Sequence, residues 1–182
     1  MESTLRHFDD ILNSCREVFL NKQKDYGTSW RIFRPSSLTD QLYIKAKRLR
    51  SIEEKEKQKV NEPIEGEYRA LINYSILAII QLSLDEDAPL ELSFDEVNRL
   101  YTNEVSITRD LLDKKNHDYG EAWRELRLSS ITDLILAKLL RIKQIENNDG
   151  KTIASEGQEG NYRDIINYAV FALILLEDIT NK

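Results

Sequence analysis

Lys115-Asn116-His117-Asp118-Tyr119-Gly120-Glu121-Ala122-Trp123-Arg124 is foreshadowed about 93 residues upstream by Lys22-Gln23-Lys24-Asp25-Tyr26-Gly27-Thr28-Ser29-Trp30-Arg31. A repeat of this period marks a duplicated structural unit and constrains every other reading of the chain. The correspondence continues downstream. Ser36-Ser37-Leu38-Thr39-Asp40 matches Ser129-Ser130-Ile131-Thr132-Asp133, and Lys45 and Arg48 match Lys138 and Arg141. Glu62 and Glu65 match Glu156 and Glu159, while Tyr68 and Asn73-Tyr74 match Tyr162 and Asn167-Tyr168, with one extra residue in the second copy. The units are residues 1–84 and 93–182, joined by a linker at 85–92.

The chain has 182 residues, which suits one domain or two small halves that share a core. Only 3 Pro and 6 Gly are available for turns, so few, long elements are expected rather than an all-β fold. A net charge of −6 argues against general duplex-DNA binding, which uses a basic field. Cys15 is the single cysteine, so an internal disulfide and a cysteine-rich zinc site are excluded. A reducing cytoplasm fits that usage. The first residues show no basic-then-apolar signal pattern. The longest apolar run, Tyr168 to Leu176, is far short of a membrane span.

Helical spacing sets the expected elements. Ser3 or Thr4 caps a helix to about Gln23, with Phe8, Ile11, Leu12, Cys15, Val18 and Phe19 on its apolar face. Gly27 ends it in a left-handed conformation, and a short turn carries Trp30 and Phe33. A second helix, about Ser37 to Lys57, places Lys45 in the apolar stripe Leu38, Leu42, Leu49, Ile52. After a loop from Asn61 to Gly66, a third runs from about Glu67 to Leu84. The second copy opens with a helix capped by Ser93, with a capping box to Glu96, that ends near His117. It continues with helices at about Ser130–Asn147 and Asn161–Ile179, the last being the most buried. The expected fold is all-α: two pseudo-symmetric three-helix repeats forming a helical bundle.

Lys45/Lys138 and Arg48/Arg141 are the first candidates for chemistry. Residues three apart share a helix face, and Asp133 lies about 80° round from Arg141, so all three can face one sector. An ammonium in an apolar stripe requires a partner. Two explanations fit equally: a structural ion pair with a neighbouring carboxylate, or a phosphate clamp with Arg as a fork and Lys as a point charge. Glu156, Glu159 and Asp164, beside Asn167, form an oxygen-rich cluster suited to Mg²⁺, or else a solvated loop and helix start. The first copy has Ala70 in place of Asp164, so a metal site there is incomplete. Asp25-Tyr26 and Asp118-Tyr119 either simply belong to helix-ending turns or, held on a rigid turn, hydrogen-bond a base or ribose. Trp30 and Trp123 are core anchors or base-stacking platforms. His117 is matched by Lys24 and His7 by no histidine, which disfavours triads and transition-metal sites. No Walker loop is present.

The set Lys-x-x-Asp-Tyr-Gly-x-x-Trp, Ser-Leu/Ile-x-Asp, Lys-x-x-Arg, Glu and Asn-Tyr resembles the first of the nucleotide modification associated domain families, in two tandem copies. More distantly it is similar to the all-α nucleoside triphosphate pyrophosphohydrolases of MazG and dimeric dUTPase type. The resemblance implies a nucleotide or nucleic-acid-derived ligand and, from the more distant family, Mg²⁺-dependent pyrophosphohydrolysis. By position, Glu156, Glu159 and Asp164 are then metal ligands, and Lys138 and Arg141, with Lys45 and Arg48, bind phosphate. Asp118, Tyr119, Trp123, Asp133 and Asn167, with Asp25, Tyr26, Asp40 and Asn73, are the expected nucleotide contacts. The Glu-Glu-x-x-Glu and Glu-x-x-Asp helices of the pyrophosphohydrolases are absent in that form. The alternative is a non-catalytic helical interaction module with internal ion pairs. The duplication either replaces a homodimer with one chain or leaves two chains to pair.

Overall fold

The computed structural model describes residues 2–55, 63–153 and 156–180. It is all-α, with six helices and no strand among the described residues. The helices are α1 (Glu2–Tyr26), α2 (Pro35–Lys55), α3 (Ile64–Ser83), α4 (Phe94–Tyr119), α5 (Leu128–Asn147) and α6 (Gln158–Thr180). Short 3-10 turns at Ser29–Ile32 and Ala122–Glu125 link the first two helices of each repeat.

The helices form where the periodicity places them, with displaced ends. Ser93 caps α4, its hydroxyl accepting from the Glu96 amide at 3.2 Å. The α2 helix starts at Pro35, whose fixed φ suits a first helical residue, rather than at Ser37. Both third helices begin about three residues early, at Ile64 and Gln158, each with acidic side chains in its first turn. Those acids are stabilised by the helix dipole, so the stretches that read as loop extend the helix instead. Val18, expected on the apolar face of α1, is 48% exposed. The loop from Asn61 and the end of the predicted second helix lie partly outside the described residues, as does Glu62.

Packing joins the halves rather than separating them. The α3 and α6 helices, apolar on most sides, lie against each other at the centre, and α2 lies against α5. Within each repeat α2 packs on α3 and α5 on α6, which completes a four-helix bundle. The α1 and α4 helices cross its α3 and α6 side and pack on each other. Phe19 of α1 stacks on Tyr101 of α4, with ring centroids 5.1 Å apart. One continuous cluster of buried side chains runs through both repeats.

Buried polar pairs fix the relative register of the repeats. Thr39 donates to Glu146 at 2.6 Å and meets the Tyr162 hydroxyl at 2.6 Å. Its counterpart Thr132 donates to Glu53 at 2.7 Å and meets the Tyr68 hydroxyl at 3.1 Å. Both tyrosines are fully buried, and burial pushes the Tyr68 hydroxyl up to about 12. Each network takes side chains from both repeats. A buried hydroxyl left without its partner costs about 1–3 kcal/mol, so the two networks select one docking of the halves. Among the described residues, no helix is long and apolar enough to cross a membrane.

Candidate functional site

Gly27 and Gly120 end α1 and α4 with φ of +60°, a conformation that strains any residue with a Cβ. Each glycine amide closes the last helical turn, donating to Gln23 and Asn116 respectively. The chain then reverses into the 3-10 turn and lays a tryptophan against its repeat's third helix. The result is one hollow per repeat. In the first, Phe19, Gln23, Tyr26, Trp30, Asn73 and Tyr74 line about 220 Å³. In the second, the matching Leu112, Asn116, Tyr119, Trp123, Asn167 and Tyr168 line about 420 Å³. Trp123 stacks on Phe171 at 4.2 Å with an interplanar angle of 4°.

The second turn carries an added feature. Glu121 has φ of +57°, whereas its counterpart Thr28 has φ of −97°. A left-handed non-glycine costs roughly 1–2 kcal/mol. The Glu121 carboxylate accepts from Thr4 and pairs with Arg124 at 3.2 Å, and Arg124 also donates to Thr4 at 2.8 Å. Burial works against the ionised carboxyl, but these partners hold it below the ordinary range. The first turn is fastened instead by the linker. Thr28 donates to the Leu90 carbonyl, and Arg31 donates to the carbonyls of Ala88 and Pro89.

The two cation pairs have different fates. In the first repeat, Lys45 lies 3.7 Å from Glu67 and Arg48 bonds to the same carboxylate, which is buried. Neither cation lines the first hollow. In the second repeat the residue matching Glu67 is Asn161. The carboxylate sits one turn later, at Asp164, where the first repeat has Ala70. Asp164 binds Lys138 and Lys115 through opposite oxygens, both at 2.6 Å. Burial pulls the Lys115 ammonium down, but the Asp164 hydrogen bond and charge outweigh it and hold it above its ordinary value.

Arg141 is thereby left with no ion pair or hydrogen bond among the described residues. It lines a second cleft, of about 780 Å³, with Lys115, Lys138, Lys151, Glu156 and Asp164. That cleft shares Lys115, Lys138 and Asp164 with the aromatic hollow, so the triad forms the wall between them. Four cations face two carboxylates there, in a chain whose net charge is −6.

The repeated asparagines diverge in the same way. Asn73 donates to the Cys15 carbonyl at 3.2 Å and accepts from the Tyr101 hydroxyl at 2.8 Å. The residue matching Tyr101 in the other repeat is Phe8, which has no hydroxyl. Asn167 is buried with neither amide atom hydrogen-bonded, and the Asn116 amide nitrogen and Trp123 Nε1 are also buried without partners. The first hollow has two such atoms, Gln23 Oε1 and Trp30 Nε1. Each orphan is worth about 1–3 kcal/mol of lost hydrogen bonding.

Of the residues singled out from sequence, the structure brings together Lys138, Arg141, Asp164, Tyr119, Trp123, Asn167 and Glu156. The others go elsewhere. Asp133 does not share a sector with Arg141: it is exposed and lies 3.6 Å from Arg50 of the other repeat. Asp40 likewise pairs with Lys143 across the repeats. Asp25 and Asp118 are exposed on the last turn of their helices, and among the described residues Asp118 meets only the neighbouring His117 ring. Tyr26 lines the smaller hollow, Asn73 is held by the fold, and Lys45 and Arg48 are a structural pair on Glu67.

The expected magnesium ligands do not converge. Asp164 has both oxygens on ammonium groups, and Glu159 is exposed in the first turn of α6, outside the cleft. No group of three or more His, Cys, Asp or Glu suited to a metal occurs among the described residues. The donor set therefore does not fit Mg²⁺, which asks for carboxylate oxygens free to coordinate. Lys115, Asn116, Tyr168 and Phe171 line the hollow without having been singled out as site residues. Lys115 opens the repeated motif, and that was its available signal.

The chain matches the family described as Nucleotide modification associated domain 1 twice, over residues 22–82 and 115–176. The two stretches cover more than half of the chain, which belongs to this family in tandem duplicate. No curated protein and no solved structure matches it.

Proposed function

We propose that this member of the Nucleotide modification associated domain 1 family binds one nucleotide, in its second repeat. The base enters the Trp123 hollow, and the phosphates lie on Lys138, Arg141 and Lys151 in the adjoining cleft. The observation that carries this reading is the pairing of partnerless buried polar atoms at Asn167, Asn116 and Trp123 with an uncommitted guanidinium across one shared wall. Buried polar atoms in folded proteins are nearly always bonded, so a cluster of exceptions on the residues around one hollow supports a ligand that these side chains turn to meet. An apolar pocket with a few convergent polar groups is the usual form of a small-molecule site. The family's description, which concerns nucleotide modification, agrees with such a ligand.

The first repeat is the structural half. Its cations are neutralised by Glu67 and its asparagine by Tyr101, so the interaction-module alternative describes that half well. No hydrolytic step is assigned to the second repeat, because its central carboxylate is engaged by two lysines. Calorimetric titration with a panel of nucleoside mono- and triphosphates, without added metal, tests the reading. One bound nucleotide per chain is expected. If no nucleotide binds, or if nucleosides bind as tightly as nucleotides, the assignment of phosphate to Arg141 and Lys138 is wrong.

A further inference from the structure

We infer that the ring that stacks on the base in the second-repeat hollow is Tyr119, and that Trp123 belongs to the frame behind it. The inference rests on the nucleotide reading above and concerns which side chain holds the base.

A planar base is gripped through its faces, so a stacking residue must offer a bare ring face to the space that the base enters. The aromatic residues lining the hollow are Tyr119, Trp123, Tyr168 and Phe171. Trp123 is only 8% exposed and Phe171 only 7%. Their rings lie parallel with centroids 4.2 Å apart, and the Arg124 guanidinium stands 4.5 Å from the Trp123 ring centroid. Covered in this way, the indole has no face left for a base. Tyr168 is partly buried against the core, its ring at 64° to that of Phe171 and 6.4 Å from it. These three rings are fixed by the fold.

Tyr119 is not. It is 74% exposed, lines the hollow, and has no hydrogen-bond or ring partner among the described residues. The local sequence explains its place. Tyr119 is the last residue of α4, and Gly120 then reverses the chain with φ of +60°. The reversal carries Trp123 back onto α6 and leaves the tyrosine at the mouth of the hollow. Keeping most of a tyrosine in water forgoes the burial its ring could give. The chain does so at the same place in both copies: Tyr26, which matches Tyr119, is 69% exposed and lines the smaller hollow. The copies differ in what lies next to the ring. Beside the Tyr119 hollow, across the wall of Lys115, Lys138 and Asp164, is the cleft of Arg141 and Lys151. Beside Tyr26, the matching Lys45 and Arg48 are engaged by Glu67. Only in the second repeat does a bare ring adjoin cations placed to take phosphate.

Calorimetric titration of the full chain with AMP, GMP, CMP and UMP tests this, each variant being compared on the tightest-binding nucleotide. Tyr119→Ala is expected to weaken binding by about 5- to 150-fold, the range for removing an aromatic platform from one base. Its melting temperature is expected to stay unchanged, because the ring is exposed. Tyr119→Phe keeps the ring face and is expected to retain the parent affinity, as is Tyr26→Ala in the first repeat. Parent affinity in Tyr119→Ala overturns the stacking assignment alone. So does a loss in Tyr119→Phe as large as in Tyr119→Ala, which would give the role to the hydroxyl. A loss in Tyr26→Ala that Tyr119→Ala does not show places the base in the other hollow and also overturns it. Failure of the unaltered chain to bind any of the four overturns the nucleotide reading, and the stacking assignment falls with it.

Discussion

Asn161→Glu places in the second repeat the carboxylate that neutralises the cations of the first. Glu67 stands three residues before Ala70, as Asn161 stands three before Asp164, and it reaches both Lys45 and Arg48. A glutamate at 161 is expected to reach Lys138 and Arg141 in the same way. A charge-assisted hydrogen bond is worth about 1.5–3 kcal/mol, so occupying Arg141 alone predicts a loss of nucleotide affinity of about 10- to 150-fold. Stability is predicted to change little. The variant loses the Asn161–Gly157 bond of 2.9 Å, worth about 1 kcal/mol. It gains an acid in the first turn of α6, worth about 0.3–1 kcal/mol, and a part-exposed ion pair worth up to about 1 kcal/mol. The net falls within about 1 kcal/mol, or roughly 2–4 °C in a chain of this size. Calorimetric titration and thermal melting on the same sample separate the two effects. Retained affinity in a folded variant whose melting point is unchanged would refute the view that Arg141 is free because Asn161 replaces an acid.

Four further outcomes follow from the same geometry. Tyr101→Phe strips the hydroxyl from the Asn73 oxygen, and a loss of about 1–3 kcal/mol is expected in denaturant unfolding, with nucleotide affinity unaffected. Phe8→Tyr offers Asn167 the hydroxyl that Asn73 already has; it is expected to raise the melting point and weaken ligand binding, and the opposite pattern would break the proposed equivalence of the two positions. Trp30 and Trp123 are the only tryptophans, so nucleotide addition should change the emission of the Trp30→Phe chain and leave that of Trp123→Phe flat. Burial raises the Glu53 and Glu146 carboxyls above the ordinary value of 4.5, against the pull of their threonine partners. An acid with a raised folded pKa contributes most at pH below its unfolded value and loses that contribution as pH rises through the folded one. The Glu53→Gln, Glu146→Gln double variant should therefore lack part of the decline in melting temperature that the parent shows between about pH 4 and neutrality.

The fold was largely legible, because helix periodicity and the duplicated motif are local signals that survive without tertiary knowledge. Gly27 and Gly120 announce their left-handed turns, and Ser93 with Glu96 announces the start of α4. Helix starts were less legible at Ile64 and Gln158, where the acidic residues that suggest a solvated loop also favour a helix N-terminus. The site was legible in part. Lys138, Arg141, Asp164 and Trp123 do meet around one wall, but the partner of Lys45 and Arg48 is Glu67, which the repeat pattern hides because its counterpart is Asn161. Asp40 and Asp133 misled for a related reason. Position on a helix states which residues share a face, not which neighbouring helix that face meets, and both aspartates meet a cation of the other repeat.

Duplication relaxes the demand on each half separately, and the way these halves differ shows which demand was relaxed. Three pairs that keep identity across the repeats, Thr39 with Thr132, Tyr68 with Tyr162 and Glu53 with Glu146, form networks between the halves, where changing one member strands the others in the core. Three positions that break identity, Glu67 against Asn161, Ala70 against Asp164 and Phe8 against Tyr101, converge on the cation pair and the asparagine of the hollows. In the first repeat the acid at 67 and the hydroxyl of Tyr101 satisfy those groups internally. In the second repeat Asp164 takes over Lys138, Arg141 is left exposed without an ion pair among the described residues, and Asn167 is left buried without a hydroxyl partner at a cost of about 1–3 kcal/mol. A structural role alone gives no return for that cost, since the satisfied arrangement was available within the same chain. A ligand that completes the second set when it binds does give one.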